Sequence, residues 1–386
     1  MYPPLLTFYP DIAASLIQYR FNHLEASKAK ARGYNHCRDD AIMIYDCIIW
    51  PPDVGLWKSF SPSYQQKFKN IVHQLRFNMI NETDTLPVEF ENAFTSYKGY
   101  DNRSGDCNYK GALFAWEAGF TGTEVCPCMA GGTCLHEHHI SGDIAFAVYQ
   151  YWQATHDLKW LKDIGFPLAF EIAEFWESRV TYDGYEYHIL NVIPPDESAM
   201  GVNDSVFTNV IAKYSLRIAT EFGEILNINT PKHWLEIADN IVIPFSETEQ
   251  RHIEYDGYED KVIKQADVVL LGYPLQYPMD AKIRENDLDF YSERTHSRGP
   301  AMTWSVTAIG YLEVLSTRLI EDTCGVRELT EEEEDTLRMK ASDYFFHSYQ
   351  NAQPPYYIWT ETPIGVSILN VFTLVKELTF GILGSI

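Results

Sequence analysis

Two stretches of the sequence set a proline pair ahead of an acid, the second of them among aromatic residues. In 191–203, NVIPPDESAMGVN, Asp196 and Glu197 follow Pro194 and Pro195; in 353–363, QPPYYIWTETP, a second pair precedes Tyr356, Tyr357, Trp359 and Glu361. Proline fixes φ and biases the residue before it away from helix, so each stretch reads as a stiff loop that presents a carboxylate. Two such acids suit glycoside cleavage, which needs one protonated and one ionised carboxyl flanking the bond, while aromatic faces suit sugar rings. The plainer reading of Asp196 and Glu197 is that one of them caps a turn.

Other residues join these as candidates. Trp116 and Glu117 lie in the glycine-flanked stretch 111–122, GALFAWEAGFTG, as either a sugar platform or a packing tryptophan beside an exposed acid. Lys264 and Gln265 precede the buried-looking run 266–271, ADVVLL, where both can hydrogen-bond hydroxyls or simply meet solvent. Cys126, Cys128, Cys134, His136, His138 and His139 are ligand types that zinc prefers, but the C-x-C-x5-C-x-H spacing fits none of the usual C-x2-C frameworks. Scattered loop residues are the better reading there. G-x-G-x-x-G, Walker and G-x-S-x-G motifs do not occur, so nucleotide binding and serine hydrolysis have no support.

The elements that must carry these loops are mostly helical. Helical spacing of apolar residues predicts helices over 11–32, 141–156 with Ser141 as cap, 159–180, 204–226, 231–242, 300–319, 331–349 and the closing apolar stretch 364–386. A short hairpin is expected in 182–190, around Tyr182-Asp-Gly-Tyr. Long loops rich in Pro, Gly and aromatics alternate with short ones, as in helical hairpins packed in a ring whose long loops gather at one mouth. Residues 36–107 break this rhythm and read as an inserted segment with one helical stripe near 64–75. The acidic run 331–335 reads as a solvated first turn favoured by the helix dipole.

Composition narrows the function classes. The chain has 386 residues, 30 Lys+Arg against 54 Asp+Glu, and a net charge of −24, which repels phosphate backbones and argues against a nucleic-acid partner. A hydrophobic fraction of 46% is enough for a packed core and excludes disorder over most of the length. Seven cysteines make no disulfide framework in a chain this long, so a reducing, cytoplasmic setting is expected. The first residues carry no basic n-region and do not read as a signal peptide. The apolar stretch 364–386 has Lys376 and Glu377 in its middle, so no membrane span is expected. The sequons at Asn81, Asn102 and Asn203 carry little weight without an export signal.

Seven blocks carry a resemblance: YPPLLTFYPDIAASLIQYRFNHLEAS, YKGALFAWEAGFTGTEVCP, EHHISGDIAFAVYQYWQATHD, NVIPPDESAMGVNDSVFTNVIAKYSLR, KQADVVLLGYP, THSRGPAMTWSVTAIGYLE and QPPYYIWTETP. In family order they resemble glycoside hydrolase family 65, in its acid-trehalase-like branch. The resemblance implies a predominantly helical, incomplete or rearranged (α/α)6 barrel as a single catalytic domain over 1–386, and an inverting mechanism with Glu197 as general acid and Glu361 as general base. It places Trp116, Glu117, Asp196, Lys264 and Gln265 around the terminal glucose, and implies as substrate glucosylgalactosyl-hydroxylysine or a related α-glucoside. No metal or cofactor is implied, because two carboxyls and a water suffice. The same family holds phosphorylases, in which phosphate replaces water; here Glu361 is present and 295–305 reads THSRGPAMTWS rather than a serine-rich phosphate loop, which favours hydrolysis. Three departures stand beside this. The family's N-terminal β-sandwich and the aspartate-bearing motif that follows it have no counterpart in the sequence. Residues 34–108 match nothing in the family, and past Thr362 its glycine-rich continuation is replaced. A catalytically silent carbohydrate-binding chain is therefore the reading from another class.

Overall fold

The computed structural model describes residues 6–33, 109–126, 133–297, 299–322 and 325–348. Its contacts divide the chain into two compact units, one of 19–149 and 156–242, the other of 1–18, 150–155 and 243–386. Among the described residues the main elements are α1 Pro10–Asn22, α2 Leu24–Gly33, α3 His139–Thr155, α4 Phe166–Arg179, α5 Val206–Leu226, α6 His233–Asn240, α7 Ala281–Arg294, α8 Met302–Thr317 and α9 Glu331–His347. Three antiparallel ribbons join them: β1 Thr181–Tyr182 with β2 Tyr187–His188, β3 Phe245–Ser246 with β4 Arg251–His252, and β5 Leu319–Asp322 with β6 Gly325–Glu328.

In the first unit, α4 is the central element. Leu168, Ala169, Ile172, Ala173, Phe175 and Trp176 are all fully buried on it. The extended stretch 111–115 runs along this helix, with the amide of Ala112 donating to the carbonyl of Glu171 at 2.8 Å. Gly111 makes that approach possible: its φ is +60°, and a Cβ there would lie 2.1 Å from the Glu171 carbonyl oxygen. The helix expected over 159–180 is interrupted by a π turn at Leu161–Gly165. Pro167 has no N–H for the carbonyl four residues back, and the chain widens to an i→i+5 bond from Phe166 to Leu161. The single helix expected over 11–32 is likewise split at His23, whose ring bonds the Tyr19 carbonyl at 2.8 Å. Ser141 does not cap α3, which begins two residues earlier; its hydroxyl accepts from the Phe114 amide at 3.0 Å. The hairpin near 182–190 is present as β1–β2, closed by Asp183, whose carboxylate accepts from the amides of Tyr185 and Glu186.

Helix α5 starts at a Ser205 cap and ends in left-handed Asn227, which turns the chain back into α6. Arg217 of α5 pairs with Asp239 near the end of α6, so the two helices run antiparallel. Trp234 of α6 is fully buried and donates its indole N–H to Glu177 of α4 at 2.7 Å.

The second unit contains α7, α8 and α9 in antiparallel succession. Arg284 near the start of α7 meets Glu313 near the end of α8 at 3.1 Å, and Asp289 accepts from Tyr311 and from Lys340 of α9 at 2.6 Å each. Trp304, at the beginning of α8, contacts Tyr344 and His347 at the end of α9. Helix α7 buries a polar face: Arg284 also donates to the Val269 carbonyl, and Asp287 accepts both the backbone amide and the ring of His252 at 2.8 Å. The Arg251 and Arg294 guanidiniums lie 3.5 and 3.6 Å from the Phe290 ring centre, a favourable cation–ring arrangement.

The first turn of α9 closes with a reciprocal capping box between Thr330 and Glu333. Arg327 adds a two-pronged ion pair to Glu333, at 2.7 and 2.8 Å. The guanidinium and the Thr330 amide together hold the Glu333 carboxyl down at about 2. Because the folded value is depressed, the associated stability is complete above the ordinary glutamate value and is lost as pH falls through about 2. A carbon-detected NMR titration of Glu333 should give a midpoint near 2, and Arg327→Ala should move it upward. An ordinary glutamate midpoint in the unaltered protein would contradict this geometry.

Candidate active site

The loop 191–203 is stitched across its neck. Val192 and Val202 exchange backbone hydrogen bonds of 2.9 and 3.0 Å, and the Asn191 amide donates to the Asn203 side chain at 3.0 Å. Asp204 anchors the exit: its carboxylate accepts from the His188 ring at 2.7 Å, the Ile189 amide at 3.1 Å and the Asn209 side chain at 3.0 Å. Burial alone would lower the His188 pKa; the Asp204 and Asp183 carboxylates outweigh it and raise it. Within the neck, Pro194, Pro195 and Asp196 are buried. The Ala199 amide donates to the Asp196 carbonyl at 2.9 Å, closing a turn over 196–199. The Ser198 hydroxyl lies 2.8 and 2.7 Å from the two Asp196 carboxylate oxygens. Glu197 occupies the corner of this turn and is half-buried. The turn reading of Asp196 therefore holds, and the same turn is what presents Glu197.

The segment that raised the question of zinc supports this loop. The His136 carbonyl accepts from the Ile193 amide at 3.1 Å. His138, fully buried, accepts from Arg179 Nε at its Nδ1 at 2.9 Å, which leaves the proton on Nε2 to donate to the Leu135 carbonyl at 2.7 Å. Burial, then the Arg179 and His136 charges, hold its pKa well below the usual histidine range, so the ring is neutral. His139 pairs with Asp143 at 2.9 Å. Cys126 is buried, with its Sγ 3.6 Å from the Thr133 hydroxyl, and burial raises its pKa. Cys134 is disulfide-bonded, contrary to the expectation of reduced cysteines, and Cys128 lies outside the described residues. Among the described residues no cluster of three or more His, Cys, Asp or Glu is placed to hold a metal ion.

Trp116 and Glu117 sit on one arm of a tight hairpin, Trp116 half-buried and Glu117 exposed. Glu124, on the returning arm, organises it. Its carboxylate accepts from the amides of Trp116 at 2.8 Å, Glu117 at 3.0 Å and Cys126 at 3.2 Å, and pairs with Lys30 of α2 at 2.8 Å. Sequence reasoning missed Glu124; the signal that could have found it is an acid placed just after the Gly119–Gly122 turn, opposite the Trp-Glu pair.

Lys264 and Gln265 belong to the other unit. Lys264 is exposed, Gln265 half-buried and the following Ala266 fully buried. The strand-like stretch before them bridges to Thr295, and the Ala266 amide donates to the Thr303 hydroxyl at 2.9 Å. Asp196, Glu197, Trp116 and Glu117 thus share one unit, while Glu361 lies outside the described residues. The apolar stretch 364–386 also lies outside; among the described residues no helix is long and apolar enough to cross a membrane.

A carboxylate that accepts three backbone amides and an ammonium holds its hairpin through charge-assisted bonds, each stronger than a neutral one. Glu124→Ala should therefore raise amide exchange at Trp116, Glu117 and Cys126 by about tenfold or more. Unchanged protection would show that the hairpin does not depend on this carboxylate.

Comparison with known proteins adds the family. Residues 101–261 match the glycosyl hydrolase family 65 central catalytic domain. Over 291 residues, 74% of this chain and 37% of the relative, the sequence is 44% identical to a protein-glucosylgalactosylhydroxylysine glucosidase of Dictyostelium discoideum. A Mus musculus protein of the same name is 39% identical over 269 residues, covering 69% of this chain and 36% of the relative. A kojibiose hydrolase of Flavobacterium johnsoniae is 32% identical over 313 residues, 81% of this chain and 35% of that one. The chain thus spans little more than a third of the length of these relatives. Its fold is similar, at a TM-score of 0.51 and 16% identity, to a solved structure provisionally described as a kojibiose phosphorylase from the human microbiome, over 80% of this chain and 46% of that one. These likenesses place the chain with glycosyl hydrolase family 65.

Proposed function

We propose that the chain carries the site of an inverting α-glucosidase, with Glu197 as general acid and Glu361 as general base, on helices that form an (α/α)6 ring. The observation that carries this reading is the turn over 196–199, which holds half-buried Glu197 at its corner above a neck closed by backbone hydrogen bonds. Sequence likeness to a hydroxylysine glucosidase and to a kojibiose hydrolase supports the substrate class. Glu197 donates its proton to the glycosidic oxygen as the bond to the anomeric carbon breaks. Glu361 takes a proton from the water that attacks the opposite face, so an α-glucoside yields β-glucose and the freed alcohol. Exchange with solvent returns both carboxyls to their starting states. Trp116, Glu117, Asp196, Lys264 and Gln265 are assigned to the terminal glucose.

The same reading takes 1–386 as one catalytic domain, with 34–108 as an insert within it. Its partner is a carbohydrate, a terminal α-glucoside such as that of glucosylgalactosyl-hydroxylysine; nucleic acid and membrane are not partners. Incubation with glucosylgalactosyl-hydroxylysine and with kojibiose, followed by proton NMR, should release β-glucose first and at the same rate without phosphate. Glu197→Gln should lower turnover of both by about 100-fold to 10,000-fold. Phosphate-dependent formation of glucose 1-phosphate would replace the hydrolase by a phosphorylase. Sugar binding by folded protein without turnover would leave a carbohydrate-binding role.

A further inference from the structure

The proline pair leaves the first arm of the 191–203 loop short of donors, since neither Pro194 nor Pro195 has an N–H. Beyond the Val192–Val202 and Asn191–Asn203 bonds across the neck, its hydrogen bonds come from neighbours, and these form a closed circuit. Arg179, at the last turn of α4, sends Nη2 to the carbonyls of Leu190 and, at 3.5 Å, Asn191. Its Nε bonds His138; His138 bonds the Leu135 carbonyl; and the next carbonyl, that of His136, takes the Ile193 amide. Asn191 and Ile193 are two residues apart, so the path returns to its start. Arg179, His136, His138 and Asn191 are each no more than 4% exposed, which strengthens every bond in the circuit relative to water.

We infer that Arg179 is a positioning residue for the proposed catalytic acid, acting through this circuit to fix the arm that leads to Glu197. The inference rests on the general-acid reading for its effect on turnover. Arg179 itself touches no reacting atom. Its planar fork matches an acceptor ring nitrogen and two carbonyls at once, which a lysine ammonium cannot do from the same position. A neutral His138 is part of the device: a proton on Nδ1 would face the Arg179 N–H and open the circuit.

The test compares the unaltered chain with Arg179→Lys and Arg179→Ala. With kojibiose as probe, Arg179→Lys should lose about 100-fold in kcat while KM stays within about threefold, as expected for an acid displaced by about an ångström rather than a lost sugar contact. Millimolar methylguanidinium should restore at least tenfold of the lost rate to Arg179→Ala and nothing to Glu197→Gln. Amide exchange supplies a readout independent of turnover: in Arg179→Lys the Val192, Ile193 and Val202 amides should exchange about tenfold faster, while amides at the centre of α5 keep their protection. Unchanged exchange at those three amides, or unchanged kcat in folded Arg179→Lys, would overturn the inference. Absence of glucoside turnover in the unaltered chain would instead overturn the general-acid reading, and the exchange result would still decide whether Arg179 holds the loop.

Discussion

A loop built on two consecutive prolines is short of bonds of its own. It has lost two amide donors and cannot coil into a helix, so the pairing across its neck is supplemented by groups outside it. That constraint accounts for much of what surrounds residues 191–203. The neck is closed by the Val192–Val202 pair, the exit is tied by Asp204 to three donors, and the entrance is held by Arg179 and the carbonyl of His136. Buried His138 follows from the same need. A ring that accepts on one nitrogen and donates on the other can pass a hydrogen bond from an arginine to a backbone carbonyl without adding charge to a dry interior.

The hairpin that carries Trp116 and Glu117 is held by the opposite device. There a single carboxylate, Glu124, gathers donors instead of a cation gathering acceptors. Lys30 connects the two supports: its ammonium pairs with Glu124 and also donates to the Cys134 carbonyl at 3.1 Å, at the start of the segment that carries His136 and His138. One lysine on α2 thus ties the hairpin and the histidine segment to a common helix, within a single unit.

Most helices were legible because their buried faces are apolar: the expected helices at 204–226, 231–242, 300–319 and 331–349 differ from α5, α6, α8 and α9 by a few terminal residues. Helix α7 was not expected. Its buried positions include Arg284, Asp287 and Ser292 beside Leu288 and Tyr291, so no continuous apolar stripe marks it, and polar partners such as His252, Glu313, Tyr311 and the Val269 carbonyl help explain its packing. The β5–β6 ribbon was missed as well, since four-residue strands with exposed side chains such as Val326 leave no alternating pattern. In the candidate site, Asp196 and Glu197 were visible because Pro-Pro announces a stiff loop. Arg179 and Glu124 were not, because Glu124 accepts from backbone amides and Arg179 donates to backbone carbonyls, and backbone partners leave no residue-type signature. The histidine segment was legible as chemistry-bearing residues and not as a support, for the same reason.

The central claim is that Glu197 delivers a proton to the leaving oxygen. It is tested most directly by the leaving-group dependence of the Glu197→Gln chain on α-glucosyl fluoride against kojibiose. Fluoride departs with little need of a proton donor, so the account predicts that the variant retains turnover of the fluoride within about tenfold of the unaltered chain while kojibiose cleavage falls by about 100-fold or more. An equal loss on both substrates would contradict it, because it would mean that Glu197 supports binding or structure and not protonation.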